Sequence, residues 1–236
     1  MTIRADLHNH SCLSPCGDLY ASPRAVAKTA ASRGIQLMAL TDHNSAQNCP
    51  AFRDACERFG IVPLFGLEVT SREEVHLLSL FEELGDALEF DRWVYDLLPE
   101  IPNDPERFGD QVVVNVDEEI LREVQTFLLP GIEASIEEIE AEVHRRGGLF
   151  IPAHVDRSAY SMVSQLGFIP EGNYDAVEIT RWPPLTGAER YSLICDSDAH
   201  YLEDIGRRTF TFEAADPSFR GLLEALRTGA TRLSIE

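Results

Sequence analysis

Six of the seven histidines in this sequence lie at or beside the ends of short apolar runs, and several have an acidic neighbour. They are His8, His10, His43, His76, His154 and His200. Two carboxylates share this placement, Glu68 in Gly-Leu-Glu-Val-Thr and Asp198 in Asp-Ser-Asp-Ala-His. Imidazoles and carboxylates are the ligands that hold hydrolytic divalent metals such as Zn²⁺, Mn²⁺ and Fe²⁺. Because a buried carboxylate needs a cationic partner, the pattern predicts a multinuclear metal site.

The elements that must position these residues are seven short apolar runs, separated mostly by helical stretches. The runs predict strands at residues 3–8, 36–40, 62–69, 75–80, 149–152, 176–179 and 192–195. Helices are predicted from Ser22 to Gly34 and at residues 46–59 and 135–146. Such alternation predicts a mainly parallel sheet or barrel. Sites in a β/α barrel form at the C-terminal ends of the strands, so the histidines would meet at its mouth.

Residues 81–131 interrupt this alternation. Predicted helices at 87–98 and 117–128 flank a strand-like stretch at 111–116. Long insertions on barrel loops often act as lids or specificity elements, which is the role predicted here. The alternative is a surface excursion without a function. The whole chain, 1–236, is expected to form a single barrel domain.

The charge and the cysteines limit the partners and the compartment. A formal net charge of −20 argues against a basic face for long nucleic acid, so no extended nucleic-acid surface is expected. Metal ions would reverse the sign locally, and a small phosphorylated substrate is expected instead. No apolar run is long enough to cross a membrane. Five cysteines without a disulfide pattern predict a reduced, cytoplasmic protein, and nothing in the sequence indicates an oligomeric state.

Several of these motifs occur together in one known order. The segments DLHNHS, TDHN, GLEVTSREEVHLL, IPAHVD, VEIT and SDAH resemble the PHP (polymerase and histidinol phosphatase) family over almost the whole chain. The resemblance implies a distorted seven-stranded β/α barrel, similar to a TIM barrel. It also implies up to three divalent metals (Zn, Mn or Fe) and phosphoester hydrolysis by a metal-activated hydroxide.

The resemblance also assigns the ligands of each metal. It gives the first metal to His8, His10, Glu68 and Asp198. Glu68 would bridge to a second metal held by His76 and His154. His43 and His200 would hold the third metal with one further ligand from the loop after the first strand.

That further ligand is where this sequence departs from the family pattern. The loop reads Cys12-Leu13-Ser14-Pro15-Cys16-Gly17-Asp18, and either Cys16 or Asp18 can be aligned with the family's ligand. Asp18 is favoured because a carboxylate suits the harder metals. Cys16 would favour zinc or iron at this site. Cys12 is expected to be a small packed side chain.

Other residues near the strand ends are predicted to assist. Arg157 and Arg181 follow two strands and could hold a phosphate, since a guanidinium matches its oxygens. Asp198 and His200 are expected to take part in the reaction, His200 as one candidate proton donor to the leaving group. Asp42 could orient His43. Three further expectations concern residues outside the predicted ligand set. Glu178 is expected at the site or against a barrel neighbour, His144 at a helix end, and Arg207-Arg208 in a structural role.

The function predicted is hydrolysis of a phosphoester in a small phosphorylated metabolite or a nucleotide. An amidohydrolase-like C–N hydrolase is an alternative, but no lysine near the strand ends could serve as a carboxylated bridging ligand. A non-catalytic, metal-binding regulatory module is a second alternative. The complete set of ligands argues against it.

Overall fold

The strands curl into a barrel whose order follows the chain, with two further antiparallel strands, connected through a helix, at one edge. The computed structural model describes residues 1–235. Its strands are β1 Thr2–Asp6, β2 Leu37–Leu40, β3 Val62–Thr70, β4 His76–Phe81, β5 Val112–Val114, β6 Ile120–Glu123, β7 Leu149–Pro152, β8 Val177–Glu178, β9 Leu193–Ile194, β10 Thr209–Glu213 and β11 Thr231–Ser234. Its α-helices are α1 Pro23–Ser32, α2 Cys49–Phe59, α3 Leu84–Asp96, α4 Pro105–Phe108, α5 Ile136–Arg145, α6 Met162–Leu166 and α7 Phe219–Thr228.

The main sheet has the order β11–β10–β1–β2–β3–β4–β7, and β8 and β9 form a parallel pair. Backbone hydrogen bonds join the pair to the sheet on both sides. The amide of Val155 after β7 donates to Glu178 O, and the amide of Asp198 after β9 donates to His8 O, both at 2.9 Å. These bonds close the ring, so the predicted distorted β/α barrel is confirmed with all seven of its predicted strands.

The prediction of a mainly parallel sheet is wrong. Strand β4 runs antiparallel to both β3 and β7, and β10 runs antiparallel to β1. Residues 71–75 form a turn between β3 and β4, which is far too short for a parallel crossover. His76 therefore lies at the start of its strand, not at the end. It still reaches the barrel mouth, because it pairs with Thr70 at the end of β3.

The helices that cover the barrel begin where the sequence signals predict. In α1, Oγ of Ser22 accepts the amide hydrogen of Ala25, and proline occupies the first turn. Helix α5 has a capping box in which Ser135 and Glu138 each bond the other's backbone. Its buried residues Ile136, Ile139 and Val143 pack towards the barrel, as the spacing predicts.

The insertion at 81–131 differs from its prediction at one point. Helix α3 and strand β5 form, but the predicted helix at 117–128 is wrong, since this segment contains β6 paired with β5. Asn115 Oδ1 accepts amide hydrogens from Asp117 and Glu119, and Glu118 has a φ of 69°. This side-chain bonding fixes a hairpin turn that a helix would break. All four residues of β6 are exposed, so its apolar residues do not form the buried face of a helix.

Strands β10 and β11 and helix α7 were not predicted. Helix α7 buries Leu222, Ala225 and Leu226 in one hydrophobic cluster with strand residues such as Ile3 and Leu37, and this cluster is separate from the one that contains α1, α2 and α5. Among the described residues, no helix is both long and apolar enough to cross a membrane. All five cysteines are free; the reducing, cytoplasmic location stays a prediction.

Candidate metal centre

Glu68 lies near the end of β3 and is almost completely buried among five imidazoles. Its Oε1 lies 3.2 Å from His8 Nε2, 2.8 Å from His76 Nδ1 and 3.1 Å from His154 Nε2. Its Oε2 lies 3.4 Å from His10 Nε2 and 3.0 Å from His43 Nδ1. One carboxylate thus faces a histidine at the start of β4 and four histidines in the segments after β1, β2 and β7.

Asp198 is the second carboxylate of the cluster and approaches it from the segment after β9. Its Oδ1 lies 3.5 Å from each of His8 Nε2, His10 Nε2 and His200 Nδ1. Its Oδ2 accepts a hydrogen bond from the guanidinium of Arg157. Eight of the nine ligands predicted for the three metals therefore lie in one cluster.

The spacing of these atoms fits metal ligands. Four ligands at about 2.1 Å from one tetrahedral ion lie roughly 3.4 Å from one another. For the first predicted metal, His8 Nε2 and His10 Nε2 are 3.3 Å apart, and both lie 3.2 to 3.5 Å from Glu68 and Asp198 oxygens. Three groups could each hold an ion: His8, His10 and Asp198; His43, Glu68 and His76; and His10, His43 and His200.

The electrostatics of the cluster support the same use. Burial alone would raise the pKa of Glu68, but His76, His8 and His43 lower it well below its usual value. Burial and the neighbouring histidines lower the pKa of His76 to about 4 and that of His200 to about 3. At neutral pH both imidazoles are neutral and offer lone pairs, so His200 is suited to bind a cation rather than to donate a proton.

Several buried polar atoms of the cluster lack a hydrogen-bond partner. Nδ1 of His43 and Oε2 of Glu68 are both in this condition. Leaving such atoms without a partner is costly, and bound divalent cations would satisfy them. The residues present therefore fit a metal centre.

The backbone around the cluster is held in an unusual conformation. Positive φ angles occur at Asn44 (47°), His154 (28°), Tyr160 (54°) and Asp198 (49°). Residues other than glycine rarely adopt this region, and such strain concentrates at functional sites. Two of the four residues are predicted ligands, so the fold stabilises a strained backbone where the ligands must converge.

A second layer of polar residues orients the histidines. Nδ1 of His8 lies 3.0 Å from Glu178 Oε2, which also accepts the amide hydrogen of His154 at 2.8 Å. Glu178 was expected either at the site or against a barrel neighbour. It is fully buried and contacts the cluster directly. By donating from Nδ1 to this carboxylate, His8 keeps Nε2 free for a metal.

Asp42 also acts in this layer, but not by the expected contact with the imidazole of His43. Its carboxylate accepts hydrogen bonds from Ser11 and from Oγ of Ser14. Ser14 Oγ in turn lies 2.9 Å from His10 Nδ1 and accepts the amide hydrogen of His43. The effect of Asp42 therefore passes through Ser14.

The loop after β1 brings both candidates for the ninth ligand close to the third predicted site. Asp18 donates its amide hydrogen to His200 O, and its Oδ1 accepts the amide hydrogen of Tyr20. The Cys16 side chain lies against His43: burial lowers the pKa of His43, but the Cys16 thiol and Glu68 raise it to about 9. Cys12 is buried and bonds Val112 O, as expected for a packed residue.

The two predicted phosphate-binding arginines differ in position. Arg157 bonds Asp198 and is half exposed, so it borders the cluster directly. Arg181 is more exposed, and its Nε lies 3.8 Å from Asp156. Asp156 accepts the amide hydrogen of Thr180, which ties together the loops after β7 and β8.

Residues predicted to lie outside the site do so. His144 lies in the last turn of α5 and bonds Asp175. Arg207 donates to the backbone carbonyl of Ser197, and Arg208 donates to that of Asp196. Sequence reasoning missed Ser14 and Tyr160. The offset of four residues between His10 and Ser14 could have indicated a contact across a turn, whereas nothing in the sequence indicates that Tyr160 returns to His76.

The barrel and its buried histidine–carboxylate cluster define a class of metal-dependent hydrolytic domains. A family model described as the PHP domain matches residues 6–144, and a second, described as PHP-associated, matches residues 188–231. This chain belongs to the PHP family. The predicted phosphoesterase class is thereby confirmed at the level of the family.

Known proteins share parts of the chain or its fold. A phosphoribosyl 1,2-cyclic phosphate 1,2-diphosphodiesterase from Eggerthella lenta is 34% identical over 85 residues, which are 34% of this chain and 31% of that protein. A lesion-specific endonuclease from Pyrococcus furiosus has a similar fold, with a TM-score of 0.73 and 19% identity, over 99% of this chain and 58% of that one. The chain thus spans less than two thirds of the length of these relatives.

One comparison corrects an expectation. Endonuclease Q in complex with a 27-mer duplex substrate matches with a TM-score of 0.72 and 19% identity, over 97% of this chain and 57% of that one. The exclusion of an extended nucleic-acid surface is therefore wrong. Net charge sums the whole surface, whereas a phosphate backbone responds to local charge, which metals and arginines dominate at such a centre.

Proposed function

We propose that this chain hydrolyses the phosphoester of a small phosphorylated metabolite or a nucleotide at a centre of up to three divalent metals. The observation that carries the proposal is the spacing of His8 Nε2 and His10 Nε2, which lie 3.3 Å from each other and 3.2 to 3.5 Å from oxygens of Glu68 and Asp198. That spacing is what one shared ion requires. Zinc, manganese and iron all suit this donor set.

The residues divide among the metals as follows. His8, His10, Glu68 and Asp198 would hold the first metal, Glu68 with His76 and His154 the second, and His43 with His200 the third. When bound, such metals lower the pKa of a water nucleophile and neutralise charge on the phosphoryl oxygens. Glu68 would serve as the bridge, because its Oε1 faces His8 of the first site as well as His76 and His154 of the second.

The arginines would hold the substrate. Arg157 points one guanidinium nitrogen at Asp198 and keeps about half of its side chain exposed. Its remaining N–H groups can therefore bind phosphoryl oxygens directly beside the cluster. Arg181 would contribute at the outer edge of the same mouth.

The insertion at 81–131 would act as a specificity element beside this mouth. Its strand β5 bonds the loop after β1, since Val112 donates its amide hydrogen to Cys12 O. Asn48 at the start of α2 bonds both Val112 O and the amide of Val114. The insertion thus packs on the loop that carries Cys16 and Asp18.

C–N hydrolysis with a carboxylated bridging lysine has no support in the chain. Its only lysine, Lys28, is exposed on α1. The proposed bridging residue is Glu68, which is buried.

The test is turnover of a phosphoester panel by protein stripped of metal and reloaded with Mn²⁺. The loaded protein is expected to release phosphate or alcohol from at least one ester, and the stripped protein from none. Glu68→Gln should bind at least two fewer metals per chain, measured by elemental analysis, while the exposed Glu57→Gln on α2 should match the wild type. No turnover of any ester by metal-replete protein would overturn the phosphoesterase proposal, and full metal content in Glu68→Gln would overturn the bridge.

A further inference from the structure

Tyr160 is an aromatic residue placed directly over one of the cluster histidines. Its ring stacks on the ring of His76, with centroids 4.6 Å apart and an interplanar angle of 12°. Its carbonyl oxygen accepts the amide hydrogen of His76 at 2.9 Å. A φ of 54° holds it there, in a region that costs a tyrosine conformational energy.

The outer side of this ring is open. Tyr160 is 47% exposed, and among the described residues His76 is its only aromatic stacking partner. Covering His76 would need only an apolar side chain. A flat, half-exposed ring in a strained backbone conformation offers more than a cover, because a second planar group can stack on its free face.

The same loop carries the residue proposed to hold phosphate. Arg157 precedes Tyr160 by three positions and bonds Asp198. The loop is rigid, since the amide of Arg157 donates to His154 O and Oγ of Ser161 donates to Arg157 O. It therefore presents a cation beside Asp198 and an aromatic ring over His76, at two different residues of the metal cluster.

From this juxtaposition we propose that Tyr160 is a base-stacking platform and that the substrate contains a nucleoside phosphate unit. The phosphate lies at the cluster beside Arg157, and the base stacks on the exposed face of Tyr160. The inference rests on the proposed phosphoesterase function and specifies its substrate class. Stacking of a base on an aromatic side chain is worth about 1–3 kcal/mol and tolerates any base. At 1.4 kcal/mol per factor of ten, that is a preference of roughly 5- to 150-fold for a substrate that carries a base.

The experiment compares two esters that differ only in the base, AMP and ribose 5-phosphate, with Mn²⁺-loaded protein. The ratio of their kcat/KM values is expected to favour AMP in the wild type. Tyr160→Leu keeps an apolar cover on His76 but removes the ring, so the ratio should fall towards one through a higher KM for AMP. Tyr160→Phe should retain the ratio. Phe168→Ala, an exposed aromatic beyond α6, is the control and should leave the ratio unchanged.

Two further measurements separate stacking from a structural role. Elemental analysis should show equal metal content in all variants, and calorimetry should show weaker binding of adenosine, which has no phosphate, to Tyr160→Leu. The end of a nucleic-acid strand also carries a nucleoside phosphate unit. If strand ends are accepted, a 5′-phosphorylated oligonucleotide should show the same loss in Tyr160→Leu.

Each contrary outcome bears on one claim. A ratio near one in the wild type, or a ratio unchanged in Tyr160→Leu, overturns the stacking platform while leaving the phosphoesterase proposal intact. Equal losses for both esters, or loss of metal from Tyr160→Leu, would show that Tyr160 only supports His76. Failure of every ester in the wider panel overturns the proposed function itself.

Discussion

Oγ of Ser14 donates a hydrogen bond to Oδ1 of Asp42 at 2.7 Å. Because its only hydrogen is used in this bond, Ser14 must accept the hydrogen of His10 Nδ1, which lies 2.9 Å away. In the neutral imidazole, Nε2 of His10 then carries the lone pair and faces Glu68 and Asp198. A hydroxyl that contacts no predicted metal thus selects the tautomer of a predicted ligand.

Ser14→Ala should therefore weaken metal binding. Without the hydroxyl, His10 loses the acceptor that fixes its tautomer and ring orientation, and the affinity for the metal should fall about 10- to 100-fold. Competition with a chromophoric chelator measures the dissociation constant. Ser32→Ala, whose hydroxyl bonds only Thr29 O on α1, should bind metal like the wild type. Unchanged affinity in Ser14→Ala would show that the bond to Asp42 does not orient His10.

The ninth ligand can be identified by spectroscopy. Since the Cys16 side chain lies against His43, whereas Asp18 Oδ1 already caps Tyr20, we expect Cys16 to bind the third metal. Cobalt-substituted protein should then show a thiolate-to-metal charge-transfer band in the near ultraviolet. The band should be absent from Cys16→Ser and present in Asp18→Asn and in Cys12→Ser, the buried control. Absence of the band from the wild-type protein would assign the site to Asp18 instead.

The sequence predicted the barrel strands because each one is a continuously apolar run, whereas strand direction depends on connections that such runs do not specify. The turn at 71–75 reverses β4, and the reversal moves His76 from the expected strand end to a strand start without removing it from the mouth. In the insertion, side-chain bonds from Asn115 decide between a helix and a hairpin. Local polar competition of that kind is not visible in a hydrophobic pattern.

The candidate site, like the fold, could be predicted from the sequence only in part. Histidines and carboxylates beside the strand termini identify the ligands, because the barrel brings those termini together at its mouth. The orienting contacts could not be predicted, since they depend on loop backbone: Ser14 lies in the tight turn after His10, and Tyr160 folds back from the β7 loop. The charge of −20 gave a wrong exclusion, because it describes the whole surface and not the mouth.

The docking of the insertion depends on the absence of a side chain at Gly109. This residue has a φ of 102°, and a Cβ built there would overlap the carbonyl oxygen of Pro15. Gly109→Ala should therefore push the insertion off the loop after β1 and cost roughly 1–3 kcal/mol of stability. Hydrogen exchange should rise at residues 105–114 and in the loop at 12–18. The control is Gly85→Ala in α3, which meets no neighbour within 4 Å and should leave hydrogen exchange unchanged. Unchanged exchange in Gly109→Ala would show that the contact with Pro15 does not hold the insertion in place.

A buried carboxylate behind the β2 loop should make stability depend on pH. Asp91 Oδ1 accepts hydrogen bonds from the amide of Ala46 and from Oγ of Ser45, while burial raises the pKa of Asp91 above the ordinary value of 3.8. A raised pKa means that the folded state holds this proton more tightly than the unfolded state. The ionised group therefore destabilises the fold above its folded pKa, and this cost disappears below the ordinary value.

Asp91→Asn keeps an oxygen for both donors and carries no charge, so it should unfold at higher urea concentration than the wild type at neutral pH. The difference should shrink as the pH falls towards 3.8, because the wild-type carboxyl then becomes neutral as well. Asp91→Ala is the matched comparison: it leaves two buried donors unpaired and should lose about 1–3 kcal/mol at any pH. Asparagine less stable than aspartate at neutral pH would mean that the ionised carboxylate is stabilised by Arg92 and Arg122, the two cations that oppose the effect of burial. The sign of a single measured difference thus shows whether burial or the neighbouring cations determine the charge of Asp91.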